Sequence, residues 1–296
     1  EYCSTYESPQ PDSLLTATDW IWSPQDSVKR WNRTAYFVDK TLAFLERHRG
    51  EACFVNLWPD DMHTPWVGNF EQQQVFPDGQ ESEKNFRVVL AEYDRQIGRL
   101  LREIKNMNLE NNTIVIFTSD NGTTHDAGGV DHRFFNSVAD LKGLKGQLYE
   151  GGIRVPGIIR WPGKIAPGKT ITQPAFHADV MPTLCALTGA DAGSPLGTDL
   201  SPVLLGKKSA LHDRKPLVWA GGGYGGQVAV RFDSKKVIRR NLFPGKKPDN
   251  WEVYDIVKDP AEKNNIAAEN RDLINRAIAI LDREYQPAPG FQALRY

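Results

Sequence analysis

The chain has 296 residues, with 36 Lys and Arg against 37 Asp and Glu and a formal net charge of -1. That length can bury a sizeable core, and the near-neutral balance supplies no single-sign field for gathering nucleic acid or an anionic membrane. A composition 40% hydrophobic and 25% charged excludes disorder and coiled coil, and no apolar run approaches the roughly 18 residues needed to span a bilayer.

Residues 1–27 mix Pro, Ser, Thr, Gln and Trp without a period, which reads as a surface-crossing segment. From Asn32 to His48, apolar residues at Ala35, Val38, Leu42 and Leu45 recur at helical spacing, and Gly50 follows as a stop. The run ACFVNLW at 52–58 is short, apolar and ended by Pro59, so it predicts a buried strand, followed by a loop at 59–66. Residues 82–106 carry Phe86, Leu90, Tyr93, Ile97, Leu100, Leu101 and Ile104 along one helix face. The β-branched run at 113–120 predicts a second strand, and VPGIIRW at 155–161 a third.

Strands alternating with helices predict an α/β fold, a mostly parallel sheet sandwiched by helices. Ligands in such folds gather beyond the carboxyl ends of the strands, where loops 59–66 and 119–136 fall. After Thr188 the texture changes. Five glycines occupy 221–226, short strands follow at 227–232 and 235–240, and a helix at about 268–285 carries Leu273, Ala277, Ile280 and Leu281 on one face. These features predict a main domain over 1–204 and a smaller α+β subdomain over 205–296. Cys3, Cys53 and Cys185 lack the spacings of a disulfide framework or a zinc site, and Cys53 and Cys185 read as core packing.

Asp120 and Asn121 place a carboxylate beside a side-chain amide at a strand end, two hard oxygen donors suited to Ca²⁺ or Mg²⁺, while Gly122 lets the backbone turn away. The same residues also make an ordinary turn. Lys145 stands close to Gly143 and Gly146, an arrangement that brings backbone near an anion held by the ammonium; the alternative is a solvated loop. Glu150 and Arg154, at helical spacing, read as a structural ion pair. His63 stands just past the strand expected at 52–58, where an imidazole can protonate a leaving group or simply form polar surface, and His125 carries the same ambiguity. Asp179, two residues after His177, reads as the N-terminal cap of a helix over 180–188.

In chain order the segments NLWPDDMHTPW, FTSDNG, LKGLKGQLYEGGIRVPGIIRWPGKI, DVMPTLCALTGA, GTDLSPVLLG and WEVYDIVKDPAEKNNIA resemble the sulfatase family of the alkaline phosphatase superfamily, over roughly residues 52–267. The run SDNGTTHDAGG is most similar to bacterial arylsulfatase-type members. The resemblance implies that Asp120 and Asn121 are two ligands of a divalent ion, usually calcium, with magnesium the lesser candidate. It implies that Lys145 holds a sulfate oxygen, that His63 lies near the bridging ester oxygen and that His125 faces substrate. The family's nucleophile is a hydrated formylglycine made from Cys or Ser, one of whose hydroxyls attacks sulfur. Its modification motif, Cys or Ser followed by x-Pro/Ala-x-Arg, does not occur in these residues, nor does the family's early Asp-Asp pair.

The chain therefore reads as the carboxyl-terminal two-thirds of a sulfatase, inactive alone, acting in the complete protein on a sulfated small molecule or glycan. The resemblance implies a periplasmic or secreted protein, although no signal peptide is visible in these residues. Two other readings stay open: a phosphatase or phosphodiesterase of the same superfamily, and a non-catalytic module that binds sulfated ligands.

Overall fold

The computed structural model describes residues 28, 30–63, 66, 68, 81–124, 135–287 and 293–296. The chain divides into two units, residues 1–113 with 126–130, and residues 114–125 with 131–296.

The first unit is built on two helices, α1 (Arg33–Arg47) and α2 (Glu81–Asn106). Both helices stand where the sequence predicts, and Val38 on α1 and Ile104 on α2 are buried as expected, but the first half of α2 buries Val88 and Val89, outside the predicted face, while Leu90, within it, is exposed. Arg99 of α2 fastens the pair by donating to the Ala35 carbonyl at 3.1 Å and to Asp39 at 2.6 Å. The start of α1 anchors the loop before His63. Arg33 pairs with Asp60 at 3.0 Å, and the Thr34 backbone N–H and hydroxyl both donate to Asp61 Oδ2. Asp60 and Asp61 are thus structural anchors.

The run at 52–58 is not a buried strand. No strand is formed there, and Phe54 and Trp58 are 73% and 78% exposed. Apolarity signals that a side chain gains by being covered, but a strand also needs a partner for its N–H and C=O groups, and none pairs with this run among the described residues. Cys53 is accordingly exposed rather than packed, and Cys185 is only half-buried.

The second unit contains β1 (Val115–Thr118), a one-turn helix α3 (Glu150–Ile153), β2 (Gly157–Arg160), α4 (Val180–Thr188) and a one-turn helix α5 (Ser201–Leu204). It continues with β3 (Leu217–Gly221), β4 (Gln227–Phe232), β5 (Lys235–Arg240), β6 (Glu252–Asp255) and α6 (Arg271–Glu284). Helices and sheets alternate as an α/β protein requires. The direction of pairing differs from the parallel arrangement expected. β1 pairs antiparallel with β2, Val115 opposite Arg160, and β3 to β6 form an antiparallel meander. A parallel pair needs a crossover that returns the chain to its starting end; among its described residues the segment between β1 and β2 carries only the one-turn helix α3.

Side chains alternate across a strand, and the meander buries both faces. Val228, Val230, Val237 and Val253 meet Ala277 and Leu281 of α6, the apolar face predicted for that helix. On the opposite face Ala229, Ile238 and Tyr254 pack against Leu148 and Tyr149, which precede α3. The sheet thereby fixes the position of the segment that carries Lys145.

Candidate active site

β1 ends at Thr118, and Ser119 to Gly122 turn the chain. Asp120 Oδ1 accepts the Asn121 N–H at 2.9 Å, the Ser119 hydroxyl donates to the Asn121 carbonyl at 3.2 Å, and Asn121 Nδ2 donates to the Gly122 carbonyl at 2.9 Å. Asp120 Oδ2 and Asn121 Oδ1 take no hydrogen bond among the described residues, so two hard oxygens at adjacent positions have acceptor capacity to spare. Their chemistry fits a divalent cation in part: calcium takes about six to eight oxygens, and these supply two. Among the described residues no group of three or more His, Cys, Asp or Glu gathers to hold a metal.

The turn is locked onto the segment that holds Lys145. The Gly122 N–H donates to the Gly152 carbonyl at 2.9 Å, and the Lys145 N–H donates to the Thr123 carbonyl at 2.7 Å. Approach this close needs glycine: a β-carbon at Gly122 would lie 2.0 Å from the Gly151 carbonyl oxygen. Gly143 and Gly146, at φ 84° and 87°, let the chain around Lys145 take left-handed turns. The structure therefore brings Asp120, Asn121 and Lys145 into one hydrogen-bonded assembly. His63 belongs to the first unit, where it is exposed and its N–H closes a turn onto Asp60 at 2.9 Å. His125 lies outside the described residues.

Beneath Lys145 the segment is held by buried charge. Lys236, on the inner face of β5, lies 2.9 Å from Glu150 and 2.7 Å from Glu262, and also donates to the Leu148 carbonyl at 3.0 Å. Glu262 in turn accepts the Glu150 N–H at 2.7 Å, and Arg154 pairs with Glu150 at 2.8 Å, the structural ion pair expected. Burial pushes the Glu150 carboxyl up, but Lys236 and Arg154 outweigh it and hold it below the ordinary glutamate range. For Glu262 burial prevails over Lys236 and the carboxyl is raised. A second network stiffens the same segment. Lys142 lies 4.1 Å above the Tyr149 ring and donates to the Tyr254 hydroxyl at 3.0 Å, while both tyrosine hydroxyls donate to Glu252. Burial and then Glu252 raise both phenols well above their usual range.

Sequence reasoning misses several of these residues. Lys236 shares an inward face with Ile238, and that alternation is the one local sign of its burial. Nothing in the local sequence marks His177, yet its Nε2–H donates to the Ser119 carbonyl at 2.9 Å, directly before Asp120. Asp179 does occupy the N-cap position of α4, but its side chain makes no capping bond to that helix. It closes the preceding turn by accepting the Phe176 N–H at 2.9 Å, then takes the Thr198 N–H at 2.8 Å and Arg214 at 2.6 Å. A buried arginine that arrives 35 positions later leaves no sign in the local sequence.

Comparison with known proteins matches residues 6–190 to the family model described as Sulfatase, and residues 143–281 to that described as N-sulphoglucosamine sulphohydrolase, C-terminal. Among curated relatives, an N-acetylgalactosamine-6-O-sulfatase of Bacteroides thetaiotaomicron is 27% identical over 287 residues, covering 88% of this chain and 52% of that protein. The steryl-sulfatase of Homo sapiens is 38% identical over 234 residues, covering 68% of this chain and 40% of that protein. Among solved structures, Ps i-CgsB superposes with a TM-score of 0.72 at 25% identity, covering 85% of this chain and 54% of that one. The chain thus spans about half the length, or less, of the relatives it matches.

Proposed function

The chain belongs to the sulfatase family, and from that premise we propose that it supplies the metal-binding and sulfate-binding part of an active site that hydrolyses sulfuric esters. The observation that carries this reading is the junction of the two loops, in which Gly122 bonds Gly152 at 2.9 Å and Lys145 bonds Thr123 at 2.7 Å. It ties together the backbones that carry Asp120, Asn121 and Lys145, which supports recognition of a sulfate beside a cation. Asp120 and Asn121 would hold a calcium ion in part, which would supply positive charge for the sulfuryl oxygens, and a formylglycine elsewhere in the complete protein would supply the nucleophile.

This chain's own residues then have separate tasks. Lys145 places an ammonium against a sulfuryl oxygen, a preorganised charge that stabilises the transition state more than the ground state. The sulfatase resemblance assigns to His63, in the first unit, the proton for the departing ester oxygen. The overall change is balanced: the ester and water give an alcohol or phenol and hydrogen sulfate.

A sulfated sugar is the favoured substrate class, because the relative aligned over 88% of this chain is named for N-acetylgalactosamine 6-O-sulfate. An aryl sulfate shares the same reacting group and serves as the assay substrate. The export implied by the sulfatase resemblance would place the protein where sulfated glycans occur. The test is turnover of an aryl sulfate and of a sulfated N-acetylgalactosamine by the complete, formylglycine-bearing protein, with and without a calcium chelator. Hydrolysis that a chelator abolishes is expected; hydrolysis of phosphate esters in place of sulfate esters would favour the phosphatase reading instead.

A further inference from the structure

The segment Gly221 to Gly226 contains one residue that is not glycine, Tyr224, and it is the one that lacks the conformational licence of its neighbours. Its backbone sits at φ 50°, ψ 43°, the left-handed region that glycine adopts freely and a bulky side chain rarely does. Strain of this kind persists where surrounding structure enforces it, and it clusters at sites of ligand contact. Burial does not account for it, because Tyr224 remains 49% exposed.

The surroundings are rigid. Gln227 is fully buried, and its amide nitrogen donates to the carbonyls of both Gly146 and Gly223, at 2.8 and 2.9 Å, while its amide oxygen accepts the Leu148 N–H at 3.2 Å. One side chain thereby ties the glycine turn to the Lys145 segment. The two backbones touch: a β-carbon at Gly223 would lie 2.5 Å from the Gly146 carbonyl oxygen. The Tyr224 ring packs on the same glycine, since a β-carbon at Gly146 would meet its Cε2 at 3.1 Å. A half-exposed aromatic ring is thus held in a strained conformation against the residue that follows Lys145.

From this geometry we infer that Tyr224 is a specificity-determining residue, a stacking platform for the ring that bears the sulfate. The inference rests on the assignment of Lys145 to the sulfate. A ligand whose sulfate meets Lys145 presents its next group to the neighbouring surface, and a fixed aromatic face there favours a flat arene or the C–H face of a pyranose over an open-chain alcohol. Because the turn is clamped by Gln227, the ring is ordered before the ligand arrives, which reduces the entropy lost on binding.

The test uses the complete protein prepared without the formylglycine modification, so that binding is read without turnover. Calorimetry with 4-nitrophenyl sulfate, with N-acetylgalactosamine 6-sulfate and with inorganic sulfate is run on wild type, Tyr224→Gly and Tyr224→Phe. Glycine relieves the backbone strain, so Tyr224→Gly is expected to keep or raise the thermal midpoint. Its affinity for a ring-bearing ester should fall about three- to tenfold, its affinity for inorganic sulfate should stay unchanged, and Tyr224→Phe should bind as wild type does. Loss with the arene alone or the sugar alone identifies which ring the platform serves. Unchanged affinity for both ring ligands in Tyr224→Gly would overturn the inference. So would a parallel loss for inorganic sulfate, which would assign Tyr224 to holding the Lys145 loop. Sulfate-ester turnover by the modified wild type judges the sulfatase reading separately.

Discussion

Lys236 Nζ lies 2.7 Å from Glu262 Oε1 with both side chains at 0% exposure, and the same ammonium reaches Glu150 at 2.9 Å. One cation thus holds two carboxylates that belong to segments more than a hundred positions apart, and through Glu150 it sets the base on which Lys145 stands. Removing one member of a buried ionic group leaves the others uncompensated. Lys236→Met is expected to lose about 3–5 kcal/mol of stability in denaturant titration. A loss below about 1 kcal/mol would mean that water reaches the carboxylates.

The two carboxylates respond oppositely to pH. Glu150 is held below its ordinary range, so its stabilisation is complete above the unfolded-state value and is lost as pH falls through the folded one. Glu262 is raised, so its proton-linked contribution is present below the unfolded-state value and is lost as pH rises through the folded one. In thermal melts across the acidic range, the stability gap between wild type and Glu150→Gln should narrow as pH falls. The gap between wild type and Glu262→Gln should widen. Parallel behaviour of the two variants would contradict the assignment.

Gly122→Ala tests the junction of the two loops. The added carbon would meet the Gly151 carbonyl oxygen at 2.0 Å, a backbone atom that cannot rotate aside. Overpacking of this kind costs about 1–3 kcal/mol, and the forced shift moves Asp120 and Asn121 with it. A lower thermal midpoint together with weaker calcium binding in the complete protein is expected; a midpoint and a calcium affinity equal to wild type would show that the loops are not locked.

The parts of the fold that are legible in the sequence are those specified locally. Helical spacing at Val38 and at Phe86, Ile97 and Ile104 locates α1 and α2, and strands expected at 227–232 and 235–240 are β4 and β5 residue for residue. What fails is what depends on a partner. The run with Phe54 and Trp58 has strand composition but no strand to pair with among the described residues, and the antiparallel direction of β1 and β2 depends on how the intervening loops fold. The same division holds in the site. The roles proposed for Asp120, Asn121 and Lys145 are read from short motifs, whereas Lys236, Gln227 and Arg214 act across long sequence separations and look locally like ordinary strand or surface residues.

His63 is expected to act on the leaving group. In the complete enzyme, His63→Ala should slow a sugar sulfate more than an activated aryl sulfate, whose oxygen departs without a proton. Rate constants for the two substrates decide it: equal losses would remove the acid role.

Lys145 and Asp120 are proposed to face the same sulfate, and kcat/KM for 4-nitrophenyl sulfate in the complete, formylglycine-bearing protein measures this most directly. Lys145→Ala and Asp120→Ala should each lower it by on the order of 10²-fold or more, the scale for losing a preorganised electrostatic group, with the fold intact by circular dichroism. Folded variants that turn over the ester as fast as wild type would contradict the account.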